Sequence, residues 1–258
     1  MSSEITNDQL RIGVFVFELI LTVCLIGWLR SSMRRKQEPW SFLILIIGYG
    51  ALTAILAAFI ELRYSFNIPL IERTQPQLYA LYGPWYELIN NIAASTIEEL
   101  AKYAVAVFTV INTRHIHKLS DTIVYLIIIG LGFSLIEDAI FLVDPSTLPQ
   151  YRLLSFYVHS GTSAIIGYSL GRFKFGLAGY GELFVAVLAA ISLHFGYNLA
   201  TSVTDPTYSF NLAALITVYI SLQIFVLFRK SLIEEYKLET KTKIVKTHHL
   251  LNWRGPSK

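Results

Sequence analysis

Cysteine is all but missing from this chain of 258 residues: Cys24 stands alone. A single cysteine excludes an intramolecular disulfide and a cysteine-built metal cluster, and it says nothing about redox compartment. Charge is scarce too, at 15% of residues against the ~25% of ordinary soluble domains. That shortage excludes a polar shell around a soluble core. Neither an internal repeat nor a low-complexity segment is visible, so solenoid and linker-joined architectures are excluded. The leading segment MSSEITNDQ has no basic region, and no small-residue cleavage pattern follows the first apolar stretch. That stretch is therefore expected to stay as a membrane helix and not to be removed as a signal peptide.

What the chain does contain is apolar surface, at 54% of residues. About 20 consecutive apolar residues let a helix cross ~30 Å of hydrocarbon. Such windows lie roughly at Leu10–Leu29, Trp40–Ile60, Trp85–Asn112, Thr122–Val143, Leu153–Gly171, Glu182–Ser202 and Phe210–Phe228. The expected fold is all-α, a polytopic transmembrane bundle of about seven spans. One domain is expected over 1–228, with a basic cytoplasmic tail over 229–258. The connection from Glu61 to Pro84 carries Tyr64, Phe66, Tyr79, Tyr82, Pro69 and Pro76, and reads either as an interfacial cap that gates substrate entry or as an aromatic belt.

Lys and Arg gather in alternate loops: Arg30, Arg34, Arg35 and Lys36, then Arg114 and Lys118, then Arg172 and Lys174, then the tail from Arg229. The intervening connections carry only Arg63, Arg73 and Arg152, with Arg11 on the N-terminal flank. The positive-inside rule thus predicts a multi-pass cell-membrane protein with the N-terminus outside and the C-terminus in the cytoplasm. The tail alternates its lysines with Glu234, Glu235 and Glu239, so a solvated tail near anionic lipid is expected and nucleic acid is not.

Against this apolar background, ionisable residues inside spans are costly and point to a site. The third span holds Glu98, Glu99 and Lys102, and the fourth holds Glu137 beside Asp138. The fifth carries His159 with Ser163 one turn on, and the sixth His194 with Asn198 one turn on. Lys102 lies roughly 40° and 60° around the helix from Glu98 and Glu99, so both carboxylates can bracket its ammonium. Counted from the span ends, Glu137, His159 and His194 share a depth of roughly 9–12 Å, with Glu98 near 20 Å unless its helix begins nearer Asn90 or tilts. One carboxylate and two imidazoles suit a divalent metal such as zinc. A glutamate and a histidine activating water without metal suit the same residues. Asn198 is placed to donate to a developing oxyanion. Gly167 and Gly171, one turn apart, read as helix-packing positions.

Four elements, Glu98-Glu99-x-x-Lys102, Gly132-Phe133-x-x-x-Glu137, His159-x-x-x-Ser163 and His194-x-x-x-Asn198, resemble in order and placement the PrsW family of intramembrane proteases, in the superfamily that holds the type II CAAX prenyl endopeptidases. The resembling core is 95–199. The resemblance implies a helical-bundle peptidase that cuts a single-pass membrane protein near the outer face, as in the first cut of a bacterial anti-sigma factor. It implies a catalytic set of Glu98, Glu99, Lys102, Glu137, His159, His194 and Asn198. Within that set Glu98 and Glu99 activate water, while Glu137, His159 and His194 surround the water or hold zinc. Where the family often has asparagine after the fourth-span glutamate, this chain has Asp138, an acid able to pair with Arg152. Two rival readings are a proton- or ion-coupled transporter, against which stand the missing inverted repeat and the convergence of the groups at one level, and a non-catalytic scaffold or receptor of the same fold.

Overall fold

The computed structural model describes residues 7–32, 38–64, 68–113, 115–142, 149–203 and 205–252. Arg34, Arg35, Lys36, Phe66, Arg114 and the last six residues of the tail lie outside them, and side chains are described no further than residue 241. Among the described residues the chain is helical throughout: α1 (Asn7–Ser32), α2 (Trp40–Tyr64), a short α3 (Ile68–Thr74), α4 (Pro76–Val105) running into a π-helical turn (Ala106–Val110), α5 (Leu119–Phe141), α6 (Pro149–Lys174), α7 (Tyr180–Thr201) and α8 (Pro206–Asn252).

Five helices are long and apolar enough to cross a membrane, namely α1, α2, α5, α7 and the first part of α8. α4 and α6 are as long but fall short on composition, because they carry Glu98, Glu99 and Lys102, and Arg152 and His159. Two of the four helices that hold the polar constellation are thus underrated by hydropathy. α4 also starts nine residues before the expected Trp85, at Pro76, whose fixed φ and missing N–H suit the first helical position. Pro84 and the aromatic residues Tyr79 and Tyr82 of the expected connection therefore lie inside a helix.

α5 is the axis of the bundle. From Leu119 to Ser134 each of its side chains is buried, as befits a helix apolar on all faces. It packs between α2 and α6 with backbones nearly touching. A Cβ at Gly130 would stand 2.5 Å from the His159 carbonyl oxygen, and one at Gly132 would stand 2.3 Å from that of Ile47. Gly167 and Gly171 of α6 fit in the same way against Thr122, the small-residue contact their spacing predicts. The outer surfaces of α1, α2, α7 and α8 expose large apolar side chains such as Ile44, Phe59, Phe184 and Leu215, the surface a lipid solvent requires.

α8 opens on Asp205, whose Oδ1 accepts from the N–H groups of Thr207 and Tyr208 at 2.9 and 3.2 Å. The helix does not break at Arg229, so the change to a basic tail is one of composition, not of backbone. Beyond that point Glu234 pairs with Arg172 at 3.0 Å, and Glu235 accepts from the backbone N–H of Ser120 at 2.6 Å. These contacts tie the extension to the end of α6 and the start of α5.

Candidate active site

The polar face of α4 repeats at Ser95, Glu98, Glu99 and Lys102, about two helical turns in length, and all four are buried. It packs against α7, α6 and α5. Glu98 is 6% exposed, Glu99 0%, Lys102 2%, His159 0% and His194 2%. Charges so fully withdrawn from solvent must answer one another or a ligand.

Glu99 gathers three partners on one oxygen, while its Oε2 is buried without one. Its Oε1 accepts from Lys102 Nζ at 2.6 Å, from Thr162 Oγ1 at 2.9 Å and from His194 Nδ1 at 2.8 Å. Lys102 has His159 Nδ1 as its second neighbour, at 3.2 Å, and its Nζ lies 4.8 Å from the centre of the Phe133 ring. The expected bracket by two carboxylates becomes one carboxylate and one imidazole.

His159 and His194 are each held from behind by a carboxylate. His159 Nε2 meets Glu137 Oε2 at 2.6 Å, and His194 Nδ1 meets Glu99 Oε1. An ionised carboxylate only accepts, so each of these ring nitrogens carries its proton and the opposite nitrogen keeps a lone pair. The lone-pair nitrogens, Nδ1 of His159 and Nε2 of His194, stand 3.8 and 3.7 Å from Glu98 Oε2. That oxygen is buried and has no hydrogen-bond partner.

These three atoms form a donor set for a cation, with one ligand atom from each residue within 4.8 Å of the others. A tetrahedral zinc with bonds of about 2.0–2.1 Å separates its donors by roughly 3.3–3.4 Å, so the two gaps to Glu98, at 3.8 and 3.7 Å, close on the ion by a few tenths of an ångström, while the widest gap in the set, within 4.8 Å, closes further. The unpartnered oxygen and the fixed tautomers are the features a resident ion requires. The set differs in one member from the one read from sequence, which took Glu137 with the histidines. Glu137 touches His159 on the far nitrogen, behind the ring, and its other contact is Arg152 at 2.9 Å. Arg152 also pairs with Asp138, as the extra acid suggested.

Asn198 gives its amide to Ser95 Oγ at 3.1 Å and borders the same cavity as Glu98 and Glu137. Ser163 turns away toward Gly130 of α5. Sequence reasoning passed over Thr162, Glu18 and Glu61. Thr162 carries no signal of its own in a run of small residues. Glu18 was legible as an acid inside an apolar span, whereas Glu61 fell just past the expected end of the second span; Glu18 is wholly buried in α1 and shares a small cavity with Asp138 and Arg152. Two larger cavities meet at Glu61, Glu98 and Glu137: a polar one of about 460 Å³ that reaches Asn91 and Asn198, and an apolar one of about 410 Å³ walled by Ala54, Ala57 and Ala58.

The family described as PrsW family intramembrane metalloprotease matches residues 38–228, most of the chain and all of the site. The chain belongs to the PrsW family. It is similar to a protein named Protease PrsW from Clostridioides difficile (strain 630), at 25% identity over 195 residues that cover 72% of this chain and 77% of that protein. No solved structure matches. The protein is thus an all-α, multi-pass intramembrane protease, and the side chains of Glu98, Glu99, Lys102, Glu137, His159 and His194 converge within its bundle.

Proposed function

We propose that this PrsW-family protease hydrolyses a peptide bond of a single-pass membrane protein, close to the outer face, in the manner of an anti-sigma-factor cleavage. The observation that carries the reading is the unpartnered Oε2 of Glu98, set between two histidine nitrogens whose opposite sides are fixed by carboxylates. Glu98, His159 and His194 would hold a zinc ion. Bound there, zinc supplies a polarised carbonyl and a water with a pKa lowered toward ~7. Glu99 and Glu137 keep the ring protons on His194 Nδ1 and His159 Nε2, which leaves both lone pairs for the site. The polar cavity brings water past Asn91 and Asn198, and Asn198 is placed at its wall to donate to the oxygen of the carbonyl under attack.

A second reading uses the same atoms without an ion, and one observation favours it: Lys102 Nζ already occupies the Nδ1 lone pair of His159. In that form Glu98 takes a proton from a cavity water as the water oxygen adds to the carbonyl carbon, and then gives that proton to the leaving amine as the C–N bond breaks, which returns Glu98 to the carboxylate. The metal reading instead has Lys102 rest on Glu99 alone, at 2.6 Å.

The outer-face assignment draws on charge. Arg172 and Lys174 at the end of α6 sit with Ser120 of α5 and the α8 extension at one end of the bundle. That is the basic end, which the positive-inside rule assigns to the cytoplasm with the 229–258 tail. Purified protein in nanodiscs, given a single-pass substrate carrying an anti-sigma-factor-like outer segment, should release that segment. A Glu98→Gln variant that cleaves at the same rate would remove the assignment.

A further inference from the structure

Glu61 stands near the end of α2 and lines both large cavities together with Glu98 and Glu137. Its Oε1 is shielded from solvent and has no hydrogen-bond partner. The cations nearest the catalytic groups are committed elsewhere: Arg152 to Glu137 and Asp138, and Lys102 to Glu99. Glu98, nine-tenths buried, turns a second unpartnered oxygen toward the same space. The two histidines supply a use for that oxygen, whether it holds an ion or takes a proton. Among the described residues no hydrogen-bond partner meets Glu61 Oε1, and a carboxylate held at an apolar wall without a counter-charge is costly.

The wall explains where the missing charge comes from. Ala54, Ala57 and Ala58 present one face of α2 to the apolar cavity, and their short side chains leave about 410 Å³ between α2 and Phe133 and Ile140 of α5. The trough has room for a bulky apolar side chain, with Glu61 at its junction with the polar cavity. Low-dielectric walls strengthen the attraction of that carboxylate for a cation.

We propose that Glu61 is a specificity-determining residue, taking the ammonium or guanidinium of a substrate lysine or arginine beside the scissile bond. The alanine trough receives the apolar side chain next to it. The inference rests on the reading of the site as hydrolytic, and the experiment separates the two. The probes are synthetic peptides with one apolar span, followed by a short outer segment in which single positions are set to Lys, Ala or Glu. Full-length protein in nanodiscs is tested for binding by fluorescence anisotropy and for cleavage by mass spectrometry. At one position the wild type should favour Lys over Glu by on the order of tenfold in both readouts. Glu61→Gln should bring that ratio near one, and Glu61→Lys should invert it. An inverted preference is a gain that a misfolded variant does not produce. Equal treatment of Lys and Glu by the wild type, or a Lys preference that survives Glu61→Lys, overturns the proposal. Binding preferences that follow Glu61 while no peptide is cut would overturn the hydrolytic reading and leave the subsite standing.

Discussion

His194 donates its Nδ1–H to Glu99 at 2.8 Å, and that bond decides which nitrogen of the ring faces Glu98. The carboxylate next in sequence to Glu98 therefore acts from the opposite side of the imidazole. Adjacent acids on one helix differ by 100° of rotation, and here the difference separates a group that faces the cavity from one that braces a ligand.

Replacing the two acids should accordingly give different signatures. Glu98→Gln removes the unpartnered oxygen and should lower cleavage on the order of 10²-fold or more, with loss of bound ion. His159→Ala and His194→Ala should match it. Glu99→Gln and Glu137→Gln leave the donor set in place and should cost roughly 10–100-fold through misoriented rings. Ion content by elemental analysis beside cleavage rate checks the split; equal loss of ion in all five variants would contradict it.

Exhaustive chelation decides between the two forms of the reaction. With an ion held by Glu98, His159 and His194, turnover should vanish and return on adding zinc. Activity that persists in protein shown to be free of metal would leave the protease assignment standing and move the chemistry to Glu98 acting directly on water.

Close approach of α5 and α6 is a third point of test. Gly130→Ala places a Cβ 2.5 Å from the carbonyl of His159 and should destabilise the bundle by about 1–3 kcal/mol, with cleavage lost in proportion as His159 is displaced. Gly27→Ala, where nothing lies within 4 Å, should do neither. Thermal unfolding in detergent measures both.

Arg152 is a partly buried cation between two acids, 2.9 Å from Glu137 and paired with Asp138. Arg152→Met should cost on the order of 3–5 kcal/mol, because it leaves carboxylates without an answering charge. Adding Asp138→Asn should return part of that loss. A double variant no more stable than the single one would show that the two residues are not coupled.

The helical bundle and its polar constellation were legible because ionisable residues inside apolar windows have few structural uses. Depth was read less well. Counting from the expected start at Trp85 set Glu98 apart from His159, yet their side chains approach to 3.8 Å. α4 begins earlier, at Pro76, so the start of the helix does not mark the membrane surface. That Glu98, and not Glu137, lies nearest the lone-pair nitrogens of both rings was also beyond the sequence. Spacing gives the face of a helix on which a residue lies, but it does not say which nitrogen of an imidazole a carboxylate will meet. Glu61 was hidden by being assigned to a loop: it is the first residue of the expected connection, yet α2 continues through it to Tyr64.

Lys102, 2% exposed and shared between Glu99 and His159, gives the centre of the bundle a covalently attached cation. Its charge is present from the moment α4 meets α6 and α7, before any metal arrives. The buried Glu99 carboxylate thus finds its counter-charge within its own helix, and the packing of α4 on α6 and α7 draws on that internal pair.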